Sequence, residues 1–216
     1  MRAAAPARRS RWLGPARRPA LFLALLAGTA LLWDLGPVAR AGHTLTWPHG
    51  VVRYYDATGM GQTVATAVAR WNSSGARVHF RPVGRPADAD VVLRVDDRRL
   101  RGLCGGDCLG YSSDIGRPPA GRQAEVLLGG ELSGVPRPLS VWVAAHELGH
   151  VLGLQHRRGR ACSLMSEHAF DSRCAPSLDA EPATPDELAC VPAPSDVQVA
   201  ARMYGGAAVW RDPRCG

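Results

Sequence analysis

"AAHELGHVLGLQH", residues 144–156, sets three histidines and a glutamate into thirteen positions. His146 and His150 are four residues apart, so on a helix their imidazoles project from one face about one turn from each other. Two metal-ligand positions are preset in this way. Glu147 follows the first histidine and is near enough to reach a water at the site without being a ligand itself. Gly153 takes up a left-handed backbone that other residues adopt only at a cost, so it ends the helix and reverses the chain. The reversal returns His156 towards the other two rings as a third nitrogen ligand and leaves a fourth position open. Three protein ligands with one open position is the pattern of a catalytic zinc, whereas structural zinc is usually closed by four. HExxH alone recurs by accident in many chains. With Gly153 and His156 in register the stretch meets all five specified positions of H-E-x-x-H-x-x-G-x-x-H.

Outward from this motif the chain reads as mixed α and β, without internal repeats. The motif helix is expected to start near Leu139, after Pro136 and Pro138, and to stop at Gly153. Upstream, "VVRYY" (51–55) reads as a strand. "GQTVATAVARW", from Gly61, places Val64, Ala67, Val68 and Trp71 on one helical face. "RVHFRPV" and "ADVVLRV" are two further strands, separated by the turn chemistry of "GRPAD". A glycine-rich, cysteine-bearing loop, "LGYSS" and the short apolar strand "AEVLL" (124–128) follow. Downstream, Ser195 to Gln198 has the form of a capping box opening a final helix through Met203. Thr184-Pro185-Asp186-Glu187 offers another helix start. Between the motif and these elements the chain is irregular and rich in cysteine and proline.

Residues 1–41 have the order of an export signal. Arginines at 2, 8, 9, 11, 17 and 18 precede an apolar run from Leu21 to Trp33, and Ala39-Arg40-Ala41 supplies the small-x-small pattern of a signal-peptidase site. Cleavage after Ala41 is expected. The apolar run is short for a bilayer span, which needs about 20 residues; an uncleaved signal would be an N-terminal membrane anchor. Arg-Arg pairs leave the general and twin-arginine routes both open. Seven of the 26 basic residues and one of the 19 acidic ones belong to this segment, which leaves 19 against 18 in the remainder. The basic charge of the whole chain therefore argues for export and not for a nucleic-acid partner. Every basic residue is arginine, which reads as the coding bias of a GC-rich, bacterial genome.

Residues 42–216 suffice for one domain with a hydrophobic core. All six cysteines lie there. An even count behind an export signal points to disulfides, and "CGGDC" lacks the C-x2-C spacing of a structural zinc site. Sequential pairing, Cys104 with Cys108, Cys162 with Cys174 and Cys190 with Cys215, closes the shortest loops among the connectivities that six cysteines allow.

"VAAHELGHVLGLQH" resembles the metzincin zinc endopeptidases and is most similar to their matrixin branch. "CSLM" places Met165 nine residues after His156, where that family has a methionine turn beneath the metal. The order of a helix with a tryptophan near its end, a strand ending in phenylalanine, "ADVVLRV" and the closing "SDVQVAARMYG" is also similar. The resemblance implies an α+β catalytic domain: a twisted mixed β-sheet with two long helices above a zinc cleft (about 42–156), and a small irregular lower subdomain ending in one helix (about 157–216). It implies one catalytic Zn2+ on His146, His150 and His156, with Glu147 as general base in peptide-bond hydrolysis. Leu109 to Ser112 would be the edge strand to which an extended peptide substrate adds. A Cys162–Cys174 bridge would brace the wall carrying Met165.

Departures from that pattern limit what it implies. No propeptide with a latching cysteine is recognisable; "PRCG" (213–216) resembles part of that latch at the wrong end of the chain, and Cys215 is assigned to a disulfide. Glu167 stands two residues after the methionine, where some metzincins have a tyrosine. The acidic run that binds calcium in matrixins is not recognisable after Leu128, where Glu125 and Glu131 are the acids present, so Ca2+ is unsupported. His43, His49, His79 and His168 lack ligand spacing and are read as solvated or packing residues. "NSS" (72–74) is read as an unmodified helix end. The expected partner is an extended peptide or protein substrate, with no nucleic acid, no membrane after signal cleavage, and a monomeric chain. A protease with one dedicated target, or a non-catalytic zinc- or peptide-binding protein of the same fold, stands as the alternative.

Overall fold

The computed structural model describes residues 45–106, 108–157, 163–166 and 191–209. Five strands form one mixed sheet in the order β2-β1-β3-β5-β4. They are β1 (Val51–Ala57), β2 (His79–Pro82), β3 (Val91–Val95), β4 (Gly110–Ser112) and β5 (Ala124–Leu128). β2, β1, β3 and β5 are parallel, and β4 runs antiparallel on the outside of β5. Among the described residues four α-helices accompany the sheet: α1 (Gly61–Asn72), α2 (Asp97–Cys104), α3 (Arg137–Val151) and α4 (Pro194–Tyr204). The class is α+β with a mixed sheet, as the sequence led one to expect.

Strand alternation sorts the core. Val52 and Tyr54 of β1, Phe80 of β2, Val91 and Leu93 of β3, and Ala124, Val126 and Leu128 of β5 all enter one apolar core with α1 and α3. The intervening Val92 and Leu127 are also buried but lie outside that core. Central parallel strands covered on both faces read as continuous apolar runs for this reason. α1 contributes Val64, Ala67, Val68 and Trp71, the four positions of the predicted face. Its last residue also ties helix to sheet: Asn72 Nδ2 donates to Phe80 O at 3.0 Å and its Oδ1 accepts from Phe80 N at 2.8 Å. That side chain is engaged in structure.

Three expectations need correction. The segment before the cysteines is not all loop, because α2 occupies Asp97–Cys104. Leu100 is its one buried residue, so no apolar period announces it; Asp96, which accepts from Arg99 N at 3.0 Å, is the helix-starting signal that was present. α3 begins at Arg137 instead of Leu139, since Pro138 fits the first turn, where its fixed φ suits a helix and its missing N–H costs nothing. The capping box at Ser195 does not form. Ala193 is the cap of α4 and Pro194 its first residue, with no side-chain cap bond. Ser195 is thereby inside the helix. Thr184 to Glu187, the Cys162–Cys174 and Cys190–Cys215 pairs, and residues 1–41 lie outside the described residues.

Candidate active site

α3 ends where the sequence places its stop. Leu152 caps it, and Gly153 follows at φ 97°, a left-handed value natural to glycine. The turn brings His156 back over the helix. His156 Nε2 lies 3.2 Å from His146 Nε2 and 3.1 Å from His150 Nε2. His146 and His150 are buried and His156 is exposed.

Carbonyl groups fix the tautomers of the two helical rings. His146 Nδ1 meets Leu164 O at 2.6 Å, and His150 Nδ1 meets Leu154 O at 2.8 Å. A carbonyl oxygen only accepts, so both Nδ1 atoms carry the hydrogen and both Nε2 atoms present lone pairs to the shared centre. Burial, reinforced by neighbouring imidazoles, pushes His146 down to about 3. Burial likewise lowers His150 to about 4. Both rings are then neutral at physiological pH, the form that binds metal.

This donor set fits a metal. Tetrahedral zinc with nitrogens at about 2.0–2.1 Å needs them roughly 3.3 Å apart, close to the spacings seen. The Nε2 lone pairs of His146 and His150 both face His156 Nε2, a set that a single cation can bridge. Glu147 adds a second indication. It is 5% exposed, and its Oε2 has no hydrogen-bond partner among the described residues. Burial pushes its carboxyl up to about 8. A buried oxygen without a partner is costly in a purely structural role.

Met165 is fully buried beneath the helix. A Cβ on Gly149 would fall 2.5 Å from its sulfur, so the glycine between Leu148 and His150 is what lets the methionine close up under α3. Its turn is held by Asp196, a residue that no motif in the sequence marks. Asp196 Oδ1 accepts from Ser163 Oγ and Oδ2 from Leu164 N, both at 2.7 Å, and Met165 N donates to Ser163 Oγ at 3.1 Å. Burial raises the Asp196 carboxyl above the usual range, against the lowering effect of the Ser163 and Leu164 bonds. Leu164 in turn orients His146 through its carbonyl. An acidic residue in the first turn of α4 was the available clue.

The end of α3 is pinned by donors from distant segments. Gly116 N bonds His150 O at 2.8 Å, Trp47 Nε1 bonds Val151 O at 2.6 Å, and the Tyr204 hydroxyl bonds Leu152 O at 2.8 Å. His150 O also accepts from Gly153 N at 2.8 Å, while the carbonyls of Val151 and Leu152 lie past the last intrahelical donors and depend on such outside partners. One turn earlier Trp71 Nε1 donates to Ala145 O at 2.9 Å, and Trp142 stacks on His146 with ring centroids 5.4 Å apart.

Other candidates fall elsewhere. Cys104 and Cys108 form a disulfide leading into β4. Glu125 pairs with Arg94 at 3.1 Å and Arg99 at 2.5 Å. Glu131 is exposed, as are His49 and His79. Cys162, Cys174, Cys190, Cys215, Glu167, His43 and His168 lie outside the described residues. No helix among the described residues is long and apolar enough to cross a membrane.

No protein-family model matches the chain, and no curated protein matches it. Two solved structures of myroilysin are similar to it at 18% identity. One match covers 51% of this chain and 52% of that one with a TM-score of 0.38, and the other 53% and 48% with a TM-score of 0.39. The chain thus spans about half the length of each. The chemistry assigned to the site is carried by its own side chains.

Proposed function

We propose that this chain is a zinc-dependent endopeptidase of the metzincin type, nearest in pattern to the matrixin branch, and exported from the cell. The observation that carries the reading is the convergence of three imidazole Nε2 atoms, two with their Nδ1 hydrogens committed to carbonyls. His146, His150 and His156 would hold the zinc ion. When bound, zinc supplies a Lewis acid that acidifies water and polarises the scissile carbonyl.

Glu147 performs the proton transfers. Its carboxylate takes a proton from the attacking water as the oxygen bonds to the carbonyl carbon. It then delivers that proton to the amine nitrogen as the C–N bond breaks. β4, at the sheet edge, offers backbone groups to an extended peptide, which gives alignment without dependence on side chains. Burial of the helix and of Met165 keeps the ligand-bearing backbone rigid. Residues 1–41 serve as an export signal cleaved after Ala41, and the exported chain is a monomer whose partner is its peptide substrate.

Zinc content of the exported protein, read beside cleavage of a denatured protein with and without a chelator, tests this function. One zinc per chain and chelator-sensitive cleavage are expected; a chain that binds no zinc overturns it. Intact mass beginning at Gly42 is the expected result for the signal.

A further inference from the structure

The edge strand and the general base touch at one point. A Cβ built on Gly110 falls 2.6 Å from Glu147 Oε1, 2.8 Å from Cγ and 3.0 Å from Cδ. Because Cγ is overlapped as well as the carboxylate tip, a swing of the terminal group alone does not relieve the clash. Gly110 is not among the residues with left-handed backbone, so any residue fits its conformation. The reason for glycine here is space.

Which side yields follows from how each is anchored. β4 pairs with β5 through Gly110–Leu128, Tyr111–Leu127 and Ser112–Val126. Gly129 N donates to Leu109 O at 2.9 Å, and Ser112 Oγ donates to Asp114 O at 2.9 Å. The Cys104–Cys108 disulfide ties the lead-in of the strand to the last residue of α2. Glu147, by contrast, has an oxygen with no partner. The carboxylate is the part that must move.

We infer that Gly110 is a positioning residue for Glu147: the side chain missing from the edge strand is the seat of the base's carboxylate. The strand that aligns the peptide then also sets where the proton is taken. This rests on the endopeptidase reading and adds to it a residue that acts through Glu147.

The test uses the exported, zinc-loaded protein, with a quenched-fluorescent peptide chosen from a cleaved denatured substrate. Gly110→Ala is expected to keep one zinc per chain and to lose about tenfold or more in kcat, with KM held within about twofold. An unchanged kcat or a rise in KM alone would overturn the inference. Thermal melts supply a double-mutant cycle that needs no activity. The loss of Tm on Gly110→Ala should vanish when Glu147→Ala is present, and should also be rescued that way if Gly110→Ala alone fails to fold. Persistence of the loss overturns the seat. Wild type without cleavage would instead overturn the endopeptidase reading, leaving the melts to decide the seat.

Discussion

α1 and α3 both contribute to the same apolar core, yet directional bonds hold them to different degrees. α1 has twelve residues and buries four of them, a single apolar stripe. α3 has fifteen and buries fourteen, among them Ser140, His146, Glu147 and His150. A stripe gains its stability from apolar area, which is non-directional. α3 is fixed in addition by directional bonds brought to its carbonyls by Trp71, Gly116, Trp47 and Tyr204. A helix that must hold two ligands and a base in register needs that second kind of restraint, and it accepts the cost of burying polar groups to carry them. Removing polar groups from the two helices should therefore have unequal results.

The largest effect is expected from Glu147→Gln. Peptide turnover should fall by about 10²–10⁴-fold, the usual contribution of a general base, while zinc content stays at one per chain. Stability should not fall, because the substitution removes a buried carboxylate whose Oε2 has no partner. Steady-state cleavage and a thermal melt on the same preparation check both halves. A drop in Tm comparable to that of a core deletion would mean that Glu147 is structural and that α3 carries no unrelieved polar cost.

Trp71→Phe comes next, because Trp71 is where the two helices share both kinds of restraint. It is fully buried in α1's stripe, and its Nε1 bonds Ala145 O of α3. Losing the bond and part of the ring should cost about 2–3 kcal/mol in denaturant unfolding. Zinc affinity should fall with it, since Ala145 precedes His146. A loss of stability with zinc affinity unchanged would show that the apolar stripe alone sets the helix.

Much of this contrast was legible in the sequence, but unevenly. The α1 stripe followed from the spacing of Val64, Ala67, Val68 and Trp71, because a half-exposed helix writes its period into its composition. α3 has almost no exposed side, so periodicity is silent there; the motif and the glycine stop located it instead. Side chains bonded to distant backbone left no local pattern. Asp196, Trp47 and Tyr204 act over separations of 32, 104 and 52 residues, and Ser195 mimicked a cap that Ala193 and Pro194 displaced. α2 was missed because Leu100 is the single buried residue on a polar helix. Gly110 reads in the sequence as part of an edge strand, while its contact with Glu147 appears only when strand and helix are assembled.

Tyr204→Phe tests one pin at the end of α3. The hydroxyl donates to Leu152 O at 2.8 Å and accepts from Trp47 N at 3.4 Å, and burial pushes its pKa up to about 12. The unfolded phenol titrates near 10, so between about pH 10 and 12 the folded state binds more protons and stability falls as pH rises. Wild type should lose about 2–3 kcal/mol over that window relative to the variant. At neutral pH the variant should be less stable by about 1 kcal/mol. Parallel stability–pH curves above 10 would mean that Tyr204 is as solvated folded as unfolded.

The smallest effects give the sharpest comparison, because one matched deletion can be made on each helix. Ser140 of α3 is 2% exposed, with its hydroxyl donating to Arg137 O at 3.0 Å and lying 3.2 Å from Thr63 Oγ1. Gln62 of α1 is exposed. Ser140→Ala removes the buried partner of a part-buried pair and leaves Thr63 to find another, so a cost of about 1 kcal/mol is expected in urea unfolding. Gln62→Ala removes a solvated side chain at a helix position that favours alanine, and its effect should stay within about 0.5 kcal/mol of zero. Equal costs would break the comparison, since polar groups on the two helices would then be held alike. A gap of the expected size would place the extra restraint in buried hydrogen bonds of the ligand-bearing helix, where the bonds to Ala145, His150, Val151 and Leu152 already concentrate it.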